Sequence, residues 1–241
     1  MREQIIEAVW FDWDRTLAQV AGDVPGHERL AILFQSEGLH FTPDQVAASM
    51  DRYQRDVAQQ KLPFLGSPPQ KRQDIMAYYG HLLRNLGVTL VDAALVERLY
   101  SGYGLLPTSL YDDTLPTLAA LQAQGVALGI VSNHSRSVRP VIEEMVGDYI
   151  SAECIVISQE LGVDKPSPRI FHEALNRLSV APERTVFVGD NLEVDAIGAV
   201  LRGGMQRGFW LDRENEAGQE KRPLPANVIR ITNLRQLLTW L

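Results

Sequence analysis

The chain has 241 residues, of which 45% are hydrophobic and 22% are charged, and its formal net charge is −7. These proportions are ordinary for a globular protein and exclude a disordered chain. Because an acidic surface repels a phosphate backbone, we expect no binding of nucleic acid. The longest central apolar run, residues 126–131, is far shorter than a membrane span, so we also expect no membrane association.

The first residues and the cysteine content indicate a cytoplasmic protein. Residues 1–4 lead into a short apolar run that ends in a carboxylate, which is not the pattern of a signal peptide. Cys154 is the only cysteine and has no internal partner for a disulfide, which suits a reducing compartment. No feature of the sequence indicates an oligomeric state.

A single strand followed by helices is predicted for the first part of the chain. The apolar, β-branched run at residues 5–11 predicts a buried strand. From residue 22 to about residue 105, apolar residues recur at helical spacing and no strand is predicted. Pro43 begins the second of four helices, Ser67-Pro68 begin the third, and residues 91–103 form the fourth.

Strands alternate with helices in the rest of the chain. This alternation predicts an α/β fold, a doubly wound parallel sheet with helices on both faces. A charged loop is predicted for residues 212–225. The predicted strands lie at residues 126–131, 154–157, 185–188, 208–211 and 228–231, and the predicted helices lie at residues 115–124, 138–146, 168–178, 194–201 and from about 234 to 241.

The spacing between two strand ends indicates an inserted domain. Asp12 and Ser132 end the first two predicted strands of the sheet, yet they are 120 residues apart. A crossover between parallel strands needs only about a dozen residues including its helix. We therefore predict a helical domain over residues 21–105, inserted into a core formed by residues 1–20 and 106–241.

Polar residues follow four of the predicted strands. The carboxyl ends of parallel strands meet at one edge of a sheet, where ligands bind in folds of this kind. One polar loop alone would mean little, but four in succession predict a functional site. The candidate residues are Asp12, Asp14, Ser132, Asn133, Lys165, Asp190 and Asp195.

The order of these residues resembles that of the haloacid dehalogenase-like (HAD) hydrolase superfamily. The pattern of that family is Asp-x-Asp-x-Thr, then Ser or Thr, then Lys, then Gly-Asp-x-x-x-x-Asp. In this chain it runs Asp12-Trp13-Asp14-Arg15-Thr16, Ser132, Lys165, and Gly189-Asp190-Asn191-Leu192-Glu193-Val194-Asp195.

The resemblance covers about residues 1–20 and 105–241 and implies a Rossmann-like core. It also implies that the inserted helices form an α-helical cap, as in the family's branch of haloacid dehalogenase and phosphoglycolate phosphatase. One position departs from the pattern. Arg15 stands where glycine is commoner, and a glycine there would ease a tight turn.

The resemblance implies a role for each residue of the pattern. Asp12 is the nucleophile that forms an aspartyl-phosphate, which splits one difficult displacement into two. Asp14 is the acid that protonates the leaving oxygen and then the base that activates water. Lys165, Ser132 and Asn133 bind the phosphoryl group, although Asn133 is equally suited to capping a helix.

A dianionic phosphate beside a carboxylate also requires a cation. Mg²⁺ prefers oxygen ligands and keeps positions open for water and phosphate. By the resemblance, its ligands are the carboxylates of Asp12 and Asp190 and the main-chain carbonyl of Asp14. Asp195 then supports the metal site from slightly further out.

These residues predict a Mg²⁺-dependent phosphatase that acts on a small phosphorylated metabolite. A phosphomutase with the same residues and a non-catalytic phospho-ligand or partner-binding module remain alternatives. Dehalogenation is disfavoured because a halide leaving group needs no proton from Asp14. His134 is interpreted as a helix-start residue. No residue of the predicted cap identifies the substrate.

Overall fold

The computed structural model describes residues 5–20, 22, 24–66, 69–214 and 223–240. All structural statements below concern these residues. Their strands are β1 (Ala8–Phe11), β2 (Ala18–Val20), β3 (Thr108–Leu110), β4 (Ala127–Ser132), β5 (Ile155–Ile157), β6 (Thr185–Gly189), β7 (Arg207–Leu211) and β8 (Val228–Ile231).

Helices occupy most of the remaining described residues. Four short 3₁₀ segments lie at Arg136–Val138, Ala152–Cys154, Pro182–Arg184 and Leu234–Thr239, and a π-helical turn lies at Leu192–Ile197. The α-helices are α1 (Gly26–Ser36), α2 (Pro43–Ala58), α3 (Arg72–Asn85), α4 (Ala93–Tyr103), α5 (Thr114–Ala123), α6 (Arg139–Val146), α7 (Ser158–Leu161), α8 (Pro168–Leu178) and α9 (Gly198–Leu201).

A six-stranded parallel sheet forms the core and confirms the predicted α/β fold. Its strand order is β5-β4-β1-β6-β7-β8, and helices flank it. β1 is entirely buried and pairs in parallel with β4 on one side and β6 on the other. The three residues that follow these strands therefore lie side by side at one edge of the sheet.

Two apolar clusters divide the buried side chains. One surrounds the sheet, and the other lies among α1 to α4, where it includes Phe34, Tyr53 and Leu82. Each of these four helices contacts the next, and α1 also contacts α4. Val20 and Leu106, which flank the predicted insertion, both belong to the helical cluster. The exact domain boundaries at residues 20/21 and 105/106 stay a prediction.

The sequence did not predict a second, two-stranded antiparallel sheet. β2 pairs with β3 and so joins the two chain segments that enter and leave the helical region. Each strand has only three residues, which is too short to show an alternating pattern.

Two predicted helices differ in type. The segment predicted at residues 194–201 forms the π-helical turn and then α9, and the closing helix is the 3₁₀ segment Leu234–Thr239. Predictions that fall on residues 1–4, on Ser67-Pro68, on residues 215–222 and on residue 241 lie outside the described residues. Among the helices of the described ranges, none has the length and hydropathy needed to cross a membrane.

The close packing of Trp10 on Gly129 yields a test of the sheet. The two residues are direct partners across β1 and β4, and a Cβ atom on Gly129 would lie 2.2 Å from Cζ3 of Trp10. We expect Gly129→Ala to lower the free energy of unfolding by about 1–3 kcal/mol, because the buried indole has no space to move. Denaturant unfolding would measure this.

Gly26→Ala is the matched control. Gly26 is the first residue of α1, and a Cβ atom on it would have no other atom within 4 Å. It should cost no stability. Equal stability of both variants would show that the Trp10 ring does not lie over Gly129.

Candidate active site

The first motif, Asp12-Trp13-Asp14-Arg15-Thr16, directly follows β1, whose end lies in the middle of the sheet edge. The amide of Asp12 donates to the carbonyl of Val188 at 2.9 Å, so the strand pairing with β6 continues through this residue. The chain then turns back, because the carbonyl of Trp13 accepts from the amides of Leu17 and Ala18, both at 3.0 Å. Trp13 is fully buried, while Asp12 and Asp14 both line a cavity above the sheet edge.

Arg15 adopts the backbone conformation that favours glycine. Its φ of 60° lies in the left-handed region, which costs an L-residue roughly 1–2 kcal/mol. Its Nε lies 3.7 Å from Oδ2 of Asp190, and its Nη2 lies 2.5 Å from Oε1 of Glu214. The departure from glycine thus preserves the turn and adds a cation beside Asp190.

Arg213 holds the same turn from the opposite side. Its guanidinium donates to the carbonyls of Arg15 at 3.2 Å and Thr16 at 2.6 Å. It also pairs with both carboxylate oxygens of Asp113, at 2.9 and 3.1 Å. The sequence analysis did not identify Arg213, because it lies in a charged loop far along the chain from the motif it holds.

Lys165 occupies the space between two carboxylates. Its Nζ lies 2.7 Å from Oδ1 of Asp12 and 2.8 Å from Oδ1 of Asp195, and the residue is 1% exposed. Burial alone would lower the pKa of Lys165, but the two carboxylates outweigh it and raise the pKa above its ordinary value. The ammonium group therefore stays charged inside the protein.

Asn133 fixes the backbone of Lys165. Its Oδ1 accepts from the Lys165 amide at 2.7 Å, and its Nδ2 donates to the Lys165 carbonyl at 3.0 Å. The predicted contact of Asn133 with phosphate stays a prediction. Ser132, the last residue of β4, is buried and lines the cavity beside Asn133.

The residues after β6 bring in two more carboxylates. The amide of Asp190 donates to the Thr16 hydroxyl, and Nε1 of Trp210 donates to the Asp190 carbonyl, both at 3.1 Å. The π-helical turn that follows directs Asp195 back toward the sheet edge, where its Oδ2 accepts from the amide of Asn191 at 3.1 Å. Such turns are frequent at functional sites.

Three carboxylates converge closely enough to hold a metal ion. Asp12, Asp190 and Asp195 each offer an oxygen, and these oxygens lie within 4.8 Å of one another. Burial, together with the charges of its neighbours, raises the pKa of Asp190 well above its usual value. Burial also raises the pKa of Asp195 to about 6, although Lys165 opposes this rise. An all-oxygen set that repels itself in this way fits a hard divalent cation.

Asp14 lies apart from this group and next to a buried histidine. Its Oδ2 is 3.6 Å from Nε2 of His134, which is 4% exposed. Burial raises the pKa of Asp14, and the charge of His134 opposes that rise. The Tyr103 ring packs on His134 with 5.8 Å between centroids. His134 is thus more than a helix-start residue, and its position directly after Ser132-Asn133 was the signal for this.

A cavity of about 670 Å³ joins the sheet edge to the four helices α1 to α4, a volume within the usual range for small-molecule sites. The helices contribute tyrosines and one arginine to its wall. None of these residues was identified from the sequence, because tyrosines at helical spacing are equally expected in a core. They are Arg29, Tyr78, Tyr79, Tyr100 and Tyr103.

The comparisons with known proteins agree with this geometry. The chain is 34% identical to glyceraldehyde 3-phosphate phosphatase of Methanopyrus kandleri, over 87% of this chain and 88% of that protein. It is 31% identical to (S)-2-haloacid dehalogenase of Pseudomonas putida, over 65% and 66% of the two chains.

A solved structure of the HAD-hydrolase YfnB from Bacillus subtilis, bound to magnesium, superposes with a TM-score of 0.70. Its sequence identity is 21%, and the match covers 98% of both chains. A family profile for haloacid dehalogenase-like hydrolases matches residues 6–201. The chain therefore belongs to the haloacid dehalogenase-like hydrolases.

Proposed function

We propose that this protein is a Mg²⁺-dependent phosphatase that hydrolyses a small phosphorylated metabolite through an aspartyl-phosphate on Asp12. The observation that carries the proposal is the pair of carboxylates on one turn. Asp12 lies against the ammonium of Lys165, whereas Asp14 lies in a separate, half-buried position with a raised pKa. Two carboxyl groups in different environments suit a nucleophile and a proton donor. The phosphatase among the relatives supports the same activity.

In the first step, a carboxylate oxygen of Asp12 attacks phosphorus and forms an acyl-phosphate bond. The bond between phosphorus and the leaving oxygen breaks, and Asp14 transfers its proton to that oxygen. The raised pKa of Asp14 favours the protonated form that this step needs. Lys165 stabilises the charge that spreads over the phosphoryl oxygens, and the hydroxyl of Ser132, which lines the cavity, donates to one of them.

In the second step, Asp14 is the base. Its carboxylate accepts a proton from a water molecule, whose oxygen attacks phosphorus as the bond to Asp12 breaks. Inorganic phosphate leaves, and both aspartates return to their starting states. Because Asp14 lines the cavity, water and the leaving group can both reach it.

The carboxylates of Asp12, Asp190 and Asp195 fit the cation that this reaction requires. Asp12 and Asp190 would hold Mg²⁺, together with the main-chain carbonyl of Asp14. Both Asp195 oxygens have protein partners, in Lys165 and the Asn191 amide, which suits a supporting position. Mg²⁺ bound there would neutralise phosphoryl charge and polarise phosphorus.

Two other functions of the same fold make different demands. A dehalogenase, such as the Pseudomonas relative, expels a halide that needs no proton, so an acid at Asp14 would serve no purpose. A phosphomutase would return the phosphoryl group to a second site on the substrate. Release of inorganic phosphate in stoichiometric yield separates a phosphatase from a phosphomutase.

The two carboxylates of the first motif can be tested separately. We expect Asp12→Asn to abolish both turnover and covalent labelling, since an amide does not attack phosphorus. Asp14→Asn should still be phosphorylated by an activated aryl phosphate, whose leaving group needs no proton. The aspartyl-phosphate should then accumulate, because the base for the second step is missing. Rapid quench followed by mass spectrometry measures both.

Asp51→Asn, an exposed carboxylate of α2, is the control and should behave as wild type. Phosphate found on Asp14, or label retained by Asp12→Asn, would show that Asp12 is not the nucleophile.

Removal of metal tests whether Asp12, Asp190 and Asp195 form a metal site that the reaction needs. Excess chelator should abolish hydrolysis of p-nitrophenyl phosphate, and Mg²⁺ should restore it. Ca²⁺ should substitute poorly, because it prefers more ligands at longer distances. Asp190→Asn should raise the Mg²⁺ concentration needed for half-maximal activity. Full activity in chelator would contradict the metal assignment.

Lys165 should affect both stability and rate. Lys165→Met leaves Asp12 and Asp195 without their buried partner, so we expect the free energy of unfolding to fall by about 3–5 kcal/mol. Where the variant remains folded, its rate should fall by about 10²–10³, the effect of one lost electrostatic contact. Calorimetry and steady-state assays would measure the two effects.

The control is Lys61→Met, at a lysine whose side chain is 64% exposed and 3.7 Å from Asp56. Its effect on stability should stay below about 1 kcal/mol. Equal stability of the two variants would contradict a buried ion pair at Lys165.

A further inference from the structure

Arg29 is a cation without a partner at the wall of the active-site cavity. It lies in the first turn of α1 and is half-buried. Its side chain forms no hydrogen bond or ion pair with any described residue. Two arginines outside the cavity wall differ, since Arg72 pairs with Glu97, and Arg98 pairs with Glu37 at 2.7 Å. A partly desolvated guanidinium is costly to leave unpaired, so Arg29 requires another reason.

Arg29 lies on the side of the cavity where the leaving group departs. Arg29, Asp14 and Tyr103 line the same cavity, and the charge of Arg29 opposes the rise in the pKa of Tyr103 that burial causes. Asp14 is the residue that would protonate the leaving oxygen. Arg29 therefore faces the part of the substrate that lies beyond the phosphoryl group.

A tyrosine, Tyr79, lines the same cavity. Tyr79 is 5% exposed, and its hydroxyl forms no hydrogen bond within the described part of the chain. Burial raises the pKa of Tyr79 well above its ordinary value, and nearby tyrosines and Asp14 add to the rise, so the group remains a neutral donor. A hydroxyl donor on the cavity wall that has no acceptor among the described residues is available to a ligand.

The helical wall of the cavity is also free of negative charge. Among the described residues of α1 to α4 that line it, none is aspartate or glutamate. Its polar groups are Arg29, the tyrosine hydroxyls and the amide of Gln54. This wall contrasts with the sheet edge, where the carboxylates of Asp12, Asp190 and Asp195 converge. Such a surface is complementary to an anion.

We infer that the leaving group of the substrate carries its own anionic group, a carboxylate or a second phosphate, and that Arg29 and Tyr79 bind it. This inference rests on the proposed phosphatase function. The anionic group that we infer lies in the part of the substrate that takes no part in phosphoryl transfer. An arginine suits this task because its planar guanidinium donates two parallel hydrogen bonds to a carboxylate or phosphate.

The test compares matched substrates that differ only in this charge. 3-Phosphoglycerate and glycerol 3-phosphate share a three-carbon chain, as 2-phosphoglycolate and 2-hydroxyethyl phosphate share a two-carbon chain. Ribulose 1,5-bisphosphate and ribulose 5-phosphate form a third pair, in which the additional anionic group is a second phosphate. We expect the wild-type enzyme to favour the charged member of at least one pair by roughly tenfold or more in kcat/KM.

Arg29→Gln should remove that preference, lowering kcat/KM for the charged member by roughly 10- to 100-fold while the neutral member changes less than twofold. Arg29→Lys should restore part of the preference, and Tyr79→Phe should reduce it by a smaller factor. Arg98→Gln, which removes a cation outside the cavity, should leave the preference intact. The substrate pair whose preference Arg29→Gln removes identifies the bound anion as a carboxylate or a phosphate.

Equal losses for both members of a pair would overturn the inference, because Arg29 would then act on the phosphoryl group or on the fold. So would an absence of preference for charge in every pair while p-nitrophenyl phosphate is hydrolysed. Failure of the wild-type enzyme to hydrolyse p-nitrophenyl phosphate with Mg²⁺ would instead contradict the proposed function itself.

Discussion

The buried ammonium group of Lys165 is the constraint on which the site depends. Two carboxylates approach it within 2.8 Å, Asp12 directly after β1 and Asp195 in the π-helical turn that follows β6. Taking such charges out of water is unfavourable unless every partner is held in place. The neighbouring contacts supply that restraint, since Asn133 fixes the Lys165 backbone and Trp210 fixes that of Asp190. The sheet edge is therefore preorganised.

One ammonium does not balance the carboxylates around it. Asp12, Asp190 and Asp195 bring three potential negative charges, and burial together with the neighbouring carboxylates raises the pKa values of Asp190 and Asp195. A divalent cation would relieve the repulsion, and a phosphate dianion could then approach a site of suitable charge. A site with this acidic character can therefore bind an anionic substrate together with a metal ion.

The predicted sheet edge was identified from sequence because strand pairing is regular. Once strands 8–11, 127–132 and 185–189 are parallel neighbours, Asp12, Ser132 and Asp190 must meet. Contacts that arise from long-range packing leave no such pattern. Two contacts at the site arise in this way. Arg213 donates to the carbonyl of Thr16, and His134 lies beside Asp14. The left-handed turn at Arg15 was also missed, because the residue type there argues against it.

The same distinction explains why chemistry was easier to predict than specificity. Phosphoryl transfer requires particular residue types at the ends of adjacent strands, so its signature survives in the order of the motifs. Recognition of a leaving group requires only complementary charge and shape on the facing helices, which many residue combinations supply. Arg29 and Tyr79 belong to this second class, because nothing in the spacing of α1 or α3 separates them from ordinary helix residues. What distinguishes them is that they line the same cavity as Asp14 and that their side chains have no hydrogen-bond partner among the described residues.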